Sequence, residues 1–343
     1  DHLSNFIIET SRKATCAAIS KVPDGSYRYS MVVDGFEAPV TMKVRLDIDG
    51  ERLFADFAGT SSMSKFGVNC PEVYTRAYAC YGLKCAIAAG VPNNAGSLEP
   101  FQITAPEGSI LAARRPAAVS TRHVIGHLVP DVVLGALHSA LPNNVPAEGA
   151  SALWNIQISA RPSDPDSGLP NKEVLMFNSG GTGARPYVDG LSATAFPSGV
   201  STMSVEATEH VGPIIVWRKE LLTGSGGAGK FRGGLGQIIE IEPCAGYDLY
   251  VNAMFDRVDN PARGREGGRD GAAGKVELAD GTALKSKGRQ FIRNGHRLRL
   301  SLPGGGGYGL PALRNHLAVQ KDLESGFITE NQAKSDYQYM KDP

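Results

Sequence analysis

The sequence of 343 residues has few cysteines and no paired-cysteine motif. The five are Cys16, Cys70, Cys80, Cys85 and Cys244, and no two of them have the C-x-x-C spacing. Disulfide frameworks occur mainly in short secreted chains with an even number of cysteines, and zinc ribbons need two C-x-x-C pairs. The sequence therefore argues against both, and it favours a reducing cytoplasm. Cys70 stands before a proline at a predicted helix start, where the pKa of a thiol can fall, but we favour a structural role for it.

Net charge and long apolar runs are also missing. The 35 basic and 35 acidic side chains cancel, so bulk electrostatics favours neither a nucleic-acid partner nor an anionic membrane. No apolar run reaches the roughly 18 residues of a membrane-spanning helix. The first residues, DHLSNFIIET, have neither the charged start nor the apolar segment of a signal peptide. We therefore predict a cytoplasmic protein without nucleic-acid or membrane partners. The missing initiator Met is expected if the chain begins inside a longer gene product.

Glycine is abundant instead, with 41 residues in short runs, which predicts many tight turns and close backbone contacts. An N-terminal helical pattern over 3–20 is followed by alternating strand-like runs with Asp-Gly turns, which predict a β-meander. Short strands between Gly- and Pro-rich loops fill 150–302. The sequence predicts an α+β fold with a β-rich second half and short helices. We expect one compact large domain, with a core over 1–310 and a helical tail over 311–343, in which Thr329 and Gln332 form the capping box of a helix.

The stretch GSGGAGKFRGG, from Gly224 to Gly234, begins like a phosphate-binding loop of the form G-x-x-x-x-G-K. In such a loop the next residue is Ser or Thr, whose hydroxyl binds Mg²⁺, but here it is Phe231. The loop must also open a helix that faces the phosphates, and the three glycines among the next five residues make a poor helix start. We therefore interpret the stretch as glycine turns between two strands.

The same stretch resembles the SGGAG-x-x-RGGLG motif of the hydantoinase B/oxoprolinase family. Further blocks resemble family motifs in the same order along the chain. They are NCP at 69–71, PNNAG at 92–96, APEGS at 105–109, DVVLGAL at 131–137, GGTGARP at 180–186 followed by DG at 189–190, and PGGGGYG at 303–309. Because these matches are spread over nearly the whole sequence, the chain is identified as a member of that family.

The resemblance implies a subunit, or the C-terminal part of a subunit, of an ATP-dependent hydrolase that opens a hydantoin, lactam or 5-oxoproline ring. ATP would activate the ring carbonyl by phosphorylation, and a metal-bound water would then open the ring. The resemblance further implies that ATP with Mg is bound by a partner A-type subunit. The alternatives are a subunit of an acetone- or acetophenone-type carboxylase, and a scaffold without a catalytic role.

The family's metal motif, of the HLPD kind, lies in an N-terminal region that this sequence does not contain. The only histidine before His123 is His2. We therefore expect no metal ligands in this chain, with Zn or Mn held by a segment absent from it. If the subunit is split, its N-terminal part is a further partner; a divergent member without that metal site is the alternative. The isolated chain is not expected to be active.

The segment TRHVIGHLVPD holds the densest group of titratable residues. On an unbroken helix His123, His127 and Asp131 would share one face, where they could bind a metal or form a His–Asp base pair. Pro130 would clash with the carbonyl four residues before it, so we predict that a helix over 130–141 begins there. The histidines would then line a turn that favours anionic ligands. We predict His123, His127 and Asp131 as catalytic and Arg122 as substrate-binding; metal ligation and simple packing remain alternatives.

The segment FNSGGTGAR supplies two further substrate-binding candidates, Asn178 and Arg185. Its glycines would let backbone N–H groups face an oxyanion, and Arg185 could bind a carboxylate with two hydrogen bonds. The alternative is a demanding turn in which Arg185 forms a structural salt bridge. The loop over 256–269 carries four arginines and could bind an anion, dock a partner or simply be solvated. No G-x-S-x-G hydrolase motif occurs.

Overall fold

The computed structural model describes residues 2–339 and separates them into two compact units, the first ending at Pro146 and the second beginning at Ala147. The elements of the first unit are α1 (His2–Ile19), β1 (Gly25–Val33), β2 (Val40–Asp49), β3 (Arg52–Asp56), α2 (Glu72–Ile87), α3 (Ala95–Leu98), β4 (Phe101–Thr104), α4 (His123–Gly126) and α5 (Val129–Leu137). Those of the second unit are β5 (Trp154–Pro162), β6 (Lys172–Asn178), α6 (Val205–Val211), β7 (Ile214–Leu221), β8 (Gln237–Pro243), β9 (Tyr247–Met254), β10 (Lys275–Leu278), β11 (Lys287–Ile292), β12 (Leu298–Ser301), α7 (His316–Glu324) and α8 (Glu330–Tyr337).

The first unit is built on the sheet β1-β2-β3-β4, in which the β-meander β1 to β3 is antiparallel and β4 runs parallel to β3. Every second residue of β2 is buried, as the alternating sequence predicts. The Asp49-Gly50 turn joins β2 to β3, with Gly50 in the left-handed region at φ 55°. Helices α2 and α5 pack on each other, and α5 also contacts β1 and β2. The sheet thereby fixes the position of α5, which carries Asp131.

The second unit contains two four-stranded antiparallel sheets, with the orders β10-β12-β8-β7 and β11-β9-β5-β6. Buried side chains from both sheets form one hydrophobic core. At one end of this core Trp154 stacks on Phe255, with ring centroids 4.4 Å apart, and its indole N–H donates to the carbonyl of Asp256 at 3.0 Å. The indole therefore has a partner for its only donor, as a buried tryptophan requires.

Four glycine-rich segments, 180–184, 226–236, 264–271 and 303–307, pack backbone to backbone and form what we call the glycine layer. Gly305 donates to Gly234 at 3.0 Å, Gly234 donates to Thr182 at 2.9 Å, and Gly227 donates to Gly305 at 2.9 Å. A Cβ at Gly305 would lie 1.9 Å from the carbonyl oxygen of Thr182, and one at Gly181 would lie 1.8 Å from that of Gly234. These positions require glycine because neighbouring main chains occupy the space of a side chain.

The predicted α+β class with a β-rich second half is confirmed. The apolar helix predicted over 130–141 begins one residue earlier and ends at Leu137. The predicted capping box of α8 is present, with Thr329 and Gln332 in its two positions. The separation of a tail at residue 311 stays a prediction, although α7 and α8 do lie beyond it. Within 2–339 we find no helix whose length and apolar content would let it cross a membrane.

Candidate functional site

The segment with the two predicted catalytic histidines forms two short helices, α4 and α5, that are interrupted at His127 and Leu128. The amide of His127 still donates to the carbonyl of His123 at 3.1 Å, so the two histidines lie one helical turn apart. Pro130 has no N–H to continue this ladder, which explains the interruption. The imidazole centroids are 5.7 Å apart. The structure thus brings His123 and His127 together in a helical segment rather than in the predicted turn.

Two tyrosines of α2 complete the surroundings of these histidines. The ring centroid of Tyr78 lies 5.2 Å from that of His127 and 4.8 Å from that of Tyr74. The guanidinium of Arg122 stands 5.4 Å from the Tyr74 ring. A Cβ at Gly126 would come within 2.2 Å of that ring, so the glycine lets α4 approach α2 closely. Neither tyrosine is among the site residues predicted from the sequence; their i, i+4 spacing on a predicted helix is the signal that could have indicated them.

Burial keeps both imidazoles neutral at pH 7. His127 is 4% exposed, and its Nδ1 has no hydrogen-bond partner among residues 2–339. Burial, with a smaller contribution from His123, lowers the pKa of His127 to about 3. Burial and then the nearby Arg122 also lower the pKa of His123. A neutral imidazole with such a low pKa suits a hydrogen bond to a polar ligand better than proton abstraction at neutral pH.

Asp131 lies in the first turn of α5, where the helix dipole favours a carboxylate, and it is 3% exposed. Since Nδ1 of His127 has no partner, Asp131 does not form the predicted His–Asp pair through that nitrogen. The part of the chain that the structure describes contains no group of three or more His, Cys, Asp or Glu side chains able to hold a metal ion. His123, His127 and Asp131 therefore do not fit the family's divalent metal. Burial raises the pKa of the Cys70 thiol to about 12, so the lowered pKa considered from its helix start is wrong.

We predict that replacing His127 by phenylalanine weakens the pH dependence of stability. In the unfolded chain the imidazole of His127 binds a proton as the pH falls through its usual pKa of 6.5. In the folded protein it stays neutral down to about pH 3. Between these values the unfolded state binds more protons, so the free energy of unfolding falls as the pH is lowered. His127 alone contributes about 2 kcal/mol to the loss of stability between pH 7 and pH 5. Urea unfolding at both pH values should show a smaller loss in His127→Phe; an equal loss would contradict the prediction.

In the second unit the two predicted substrate-binding residues lie in different environments. Asn178 ends β6 and is 1% exposed. Arg185 is exposed on the following turn, and its guanidinium donates to the carbonyl of Asp189 at 3.2 Å. Of the glycine N–H groups expected to face an oxyanion, that of Gly181 donates instead to the carbonyl of Pro303 at 3.0 Å. Substrate binding by Asn178 and Arg185 stays a prediction.

The stretch from Gly224 to Gly234 also uses its N–H groups internally. Besides the bonds of Gly227 and Gly234 described above, Gly224 donates to the carbonyl of Phe327 and Phe231 to that of Tyr308, at 2.9 and 3.0 Å. A phosphate-binding loop needs such groups free to point at the ligand. The geometry therefore agrees with the sequence in excluding a phosphate loop, because the stretch is part of the glycine layer.

The arginine of this stretch belongs to a buried charge network. Arg232 donates from Nε to Asp322 at 3.2 Å, and Arg314 donates to Asp322 at 2.7 Å and to both oxygens of Asp189 at 2.7 and 2.8 Å. Burial alone would raise the pKa of Asp189, but the hydrogen bonds and charge of Arg314 outweigh it, so this pKa is lowered. The network joins the glycine layer to α7 within the second unit.

The arginine-rich loop over 256–269 also contributes mainly to internal ion pairs. Arg257 and Arg263 both donate to the buried carboxylate of Glu148, at 3.0 and 2.7 Å. Arg269 pairs with Asp336 of α8. Of the three interpretations of this loop, the structure supports neither simple solvation nor an arginine cluster free for an anion.

Comparison with known proteins places this fold and its motifs in one family. Residues 1–311 match the sequence model of hydantoinase B/oxoprolinase, and the chain belongs to this family. A protein of Pseudomonas sp. strain NS671, named as the B-type component of a D-/L-hydantoinase, is 29% identical, over 97% of this chain and 59% of its own length. The 5-oxoprolinase 1 of Arabidopsis thaliana is 30% identical, over 79% of this chain and 20% of its own length.

Two solved structures share the fold. The ATP-dependent caprolactamase from Pseudomonas jessenii matches with a TM-score of 0.80 and 21% identity, covering 98% of this chain and 60% of the caprolactamase chain. Nucleotide-free acetone carboxylase matches with a TM-score of 0.78 and 18% identity, covering 96% of this chain and 51% of the carboxylase chain. The chain thus spans little more than half the length of the hydantoinase relative and of these two structures.

Proposed function

We propose that this chain is a subunit, or part of a subunit, of an ATP-dependent hydrolase that opens a cyclic amide. The observation that carries the proposal is that the family match and the hydantoinase relative each cover at least nine-tenths of the chain. The names of the relatives describe enzymes of hydantoins, 5-oxoproline and a lactam. In this proposal ATP with Mg is bound by an A-type partner subunit. A cytoplasmic location and a divalent metal held by a segment outside this chain remain parts of the proposal.

Within this function we propose that the neutral imidazoles of His123 and His127 hydrogen-bond the activated form of the substrate. The two rings, with Tyr78 beside them, offer donors and acceptors in a largely apolar setting where each bond is strong. Arg122, at the edge of the cluster, supplies positive charge for an anionic group. Asp131 supports this segment from the first turn of α5 rather than by contact with Nδ1 of His127.

The proposal is tested by turnover in the complete complex purified with its natural partners. We expect ADP release with a hydantoin, a lactam or 5-oxoproline, together with the ring-opened product. ADP release with acetone or acetophenone plus bicarbonate instead would establish the carboxylase alternative. The absence of turnover with either set would leave the scaffold role. A peptide map of the same complex should contain a fragment with an HLPD motif; hydrolysis without such a fragment would contradict the metal assignment.

Replacing His127 by leucine, which cannot form a hydrogen bond, should lower kcat of that complex at least about tenfold, because a buried hydrogen bond to the reacting group is worth about 1.5 kcal/mol. The matched control is His210→Leu, since His210 is exposed at the end of α6 in the second unit. We expect the control to keep the wild-type kcat and KM. Equal kcat values for the two variants would remove His127 from the proposed site.

A further inference from the structure

The side chain of Asn178 has an unusual place in the second unit. It is 1% exposed, and neither its amide nitrogen nor its amide oxygen has a hydrogen-bond partner among residues 2–339. Buried polar side chains in folded proteins are nearly always hydrogen-bonded, because an unmade bond costs the full desolvation of the group. The amide of Asn178 therefore has both an N–H donor and a C=O acceptor without a partner. Such an amide is suited to a ligand that offers one hydrogen-bond acceptor and one donor.

The position of Asn178 in β6 fixes where this amide lies. Val174, Met176 and Asn178 alternate with more exposed residues, so all three face the hydrophobic core. Asn178 pairs in register with Trp154 of β5, and directly opposed residues point to the same face. The amide therefore stands at the end of the core, beside the large apolar surface of the tryptophan, where the dielectric is low and hydrogen bonds are strong.

A small void adjoins this position along the chain; it has no room for a water-sized molecule, and Asn178 itself does not line it. Ser179 and Gly180, which follow Asn178, line it together with Leu153, which precedes Trp154. Residues 194–196 and 198 also line it. The backbone next to the void is strained at Ser151, which lines it, and at Ala193, which precedes residue 194: both have φ of 46°, an uncommon value for residues with a Cβ. The loop has to shift for a ring-sized ligand to enter.

We infer that Asn178 recognises the amide edge of a cyclic substrate through two parallel hydrogen bonds. The ring N–H would donate to Oδ1 of Asn178, and Nδ2 of Asn178 would donate to the ring carbonyl. In a small ring the amide is held cis, so its N–H and C=O point to the same side and match the side-chain amide. An acyclic secondary amide is trans and points them to opposite sides. A ketone has no N–H and leaves Oδ1 unpaired.

This inference rests on the proposed function for its class of ligand, and it deepens that function by assigning the specificity for ring amides over ketones. A site built to hydrogen-bond a substrate N–H rejects an analogue without that group, because its own polar atom is then left unpaired. Asn178 is thus a specificity-determining residue that binds the amide before it reacts. This role does not depend on which group performs the ring opening.

Binding measured by ligand-observed NMR in the complete complex, without ATP, tests the inference. The probes are hydantoin and 2-pyrrolidinone, with N-methyl-2-pyrrolidinone, cyclopentanone and N-methylacetamide as controls that lack the N–H or the cis geometry. We expect hydantoin and 2-pyrrolidinone to bind the wild type and the three controls to bind at least about tenfold more weakly. Asn178→Leu keeps the side-chain volume, and Asn178→Asp removes the hydrogen-bond donor. Each substitution should weaken the binding of the cyclic amides by a similar factor. Circular dichroism establishes that both variants are folded.

Unchanged affinity for 2-pyrrolidinone in both variants, equal binding of cyclopentanone, or no binding of either cyclic amide to the wild type would overturn the inference. Because no turnover is measured, its failure is separable from failure of the proposed function. If the complex opens the ring and the Asn178 variants bind cyclic amides normally, the proposed function stands and the role of Asn178 is contradicted. If cyclic amides bind through Asn178 but the complex does not open the ring with ATP, the binding site stands and the proposed function is contradicted.

Discussion

Replacing Asp322 by asparagine should lower the free energy of unfolding by about 3 kcal/mol, because the loss of one partner leaves a buried charge uncompensated. Asp322 accepts hydrogen bonds from both Arg232 and Arg314, and all three side chains are buried. In the variant the two guanidinium groups would share the single carboxylate of Asp189. Urea unfolding of the purified protein at neutral pH measures the change.

The matched control is Glu324→Gln in the same helix, α7. Glu324 is exposed, and its carboxylate accepts a hydrogen bond from Gln320, one turn earlier. The same loss of a negative charge there should change stability by no more than about 0.5 kcal/mol. If the two variants were equally stable, the network around Asp322 would be no more important than a surface pair. The expected loss should persist at high salt, since buried pairs are screened far less than exposed ones.

Replacing Gly305 by alanine should lower the free energy of unfolding by about 3 kcal/mol or prevent folding of the second unit. The added Cβ would lie 1.9 Å from the carbonyl oxygen of Thr182 and 2.7 Å from the amide nitrogen of Gly183. Neither is the end of a flexible side chain, so a main chain has to move. Gly305 also donates to Gly234 and accepts from Gly227, and the shift would break these bonds. Overpacking a well-packed interior costs about 1–3 kcal/mol even without such losses.

Gly90→Ala is the control for this substitution. A Cβ at Gly90 meets nothing within 4 Å, and its φ lies outside the positive range that strains other residues. Alanine should therefore be neutral or stabilise by about 0.4–1 kcal/mol through the unfolded chain. Expression yield and the thermal unfolding midpoint compare the two variants. A Gly305→Ala protein as stable as Gly90→Ala would contradict the close packing of the glycine layer.

Local sequence signals predicted the fold class well because they depend on neighbouring residues. The alternation in β2 and the Asp49-Gly50 turn have their causes within a few residues, and both form as expected. The same holds for the capping box of α8. The ordered motifs identified the family, which the comparison confirms. Pro130 correctly marked a break between two helical segments, although its ring is accommodated in the first turn of α5 and the residues before it remain helical.

Features that depend on distant parts of the chain were not predictable in the same way. Arg232 and Asp322 are separated by 90 residues, and no local pattern indicates that they pair. The packing of Tyr78 against His127 depends on how α2 meets α4, which a single sequence does not specify. The unpartnered amide of Asn178 could be recognised only after every neighbour had been placed. The glycine runs were interpreted only as turns. The backbone that they contact is remote in the sequence, and no local pattern indicates that contact.

The arrangement of the glycine layer has a consequence for biosynthesis. Its segment 303–307 comes last in the chain, yet it hydrogen-bonds to segments that begin as early as Glu148, whose carbonyl accepts from Gly306 at 2.9 Å. Contacts of such long sequence separation form late and slowly. During synthesis the second unit therefore completes its folding only after these glycines have emerged from the exit tunnel of the ribosome. Until then the nascent chain exposes unpaired backbone of the earlier segments, so a chaperone that shields it should raise the yield of folded protein.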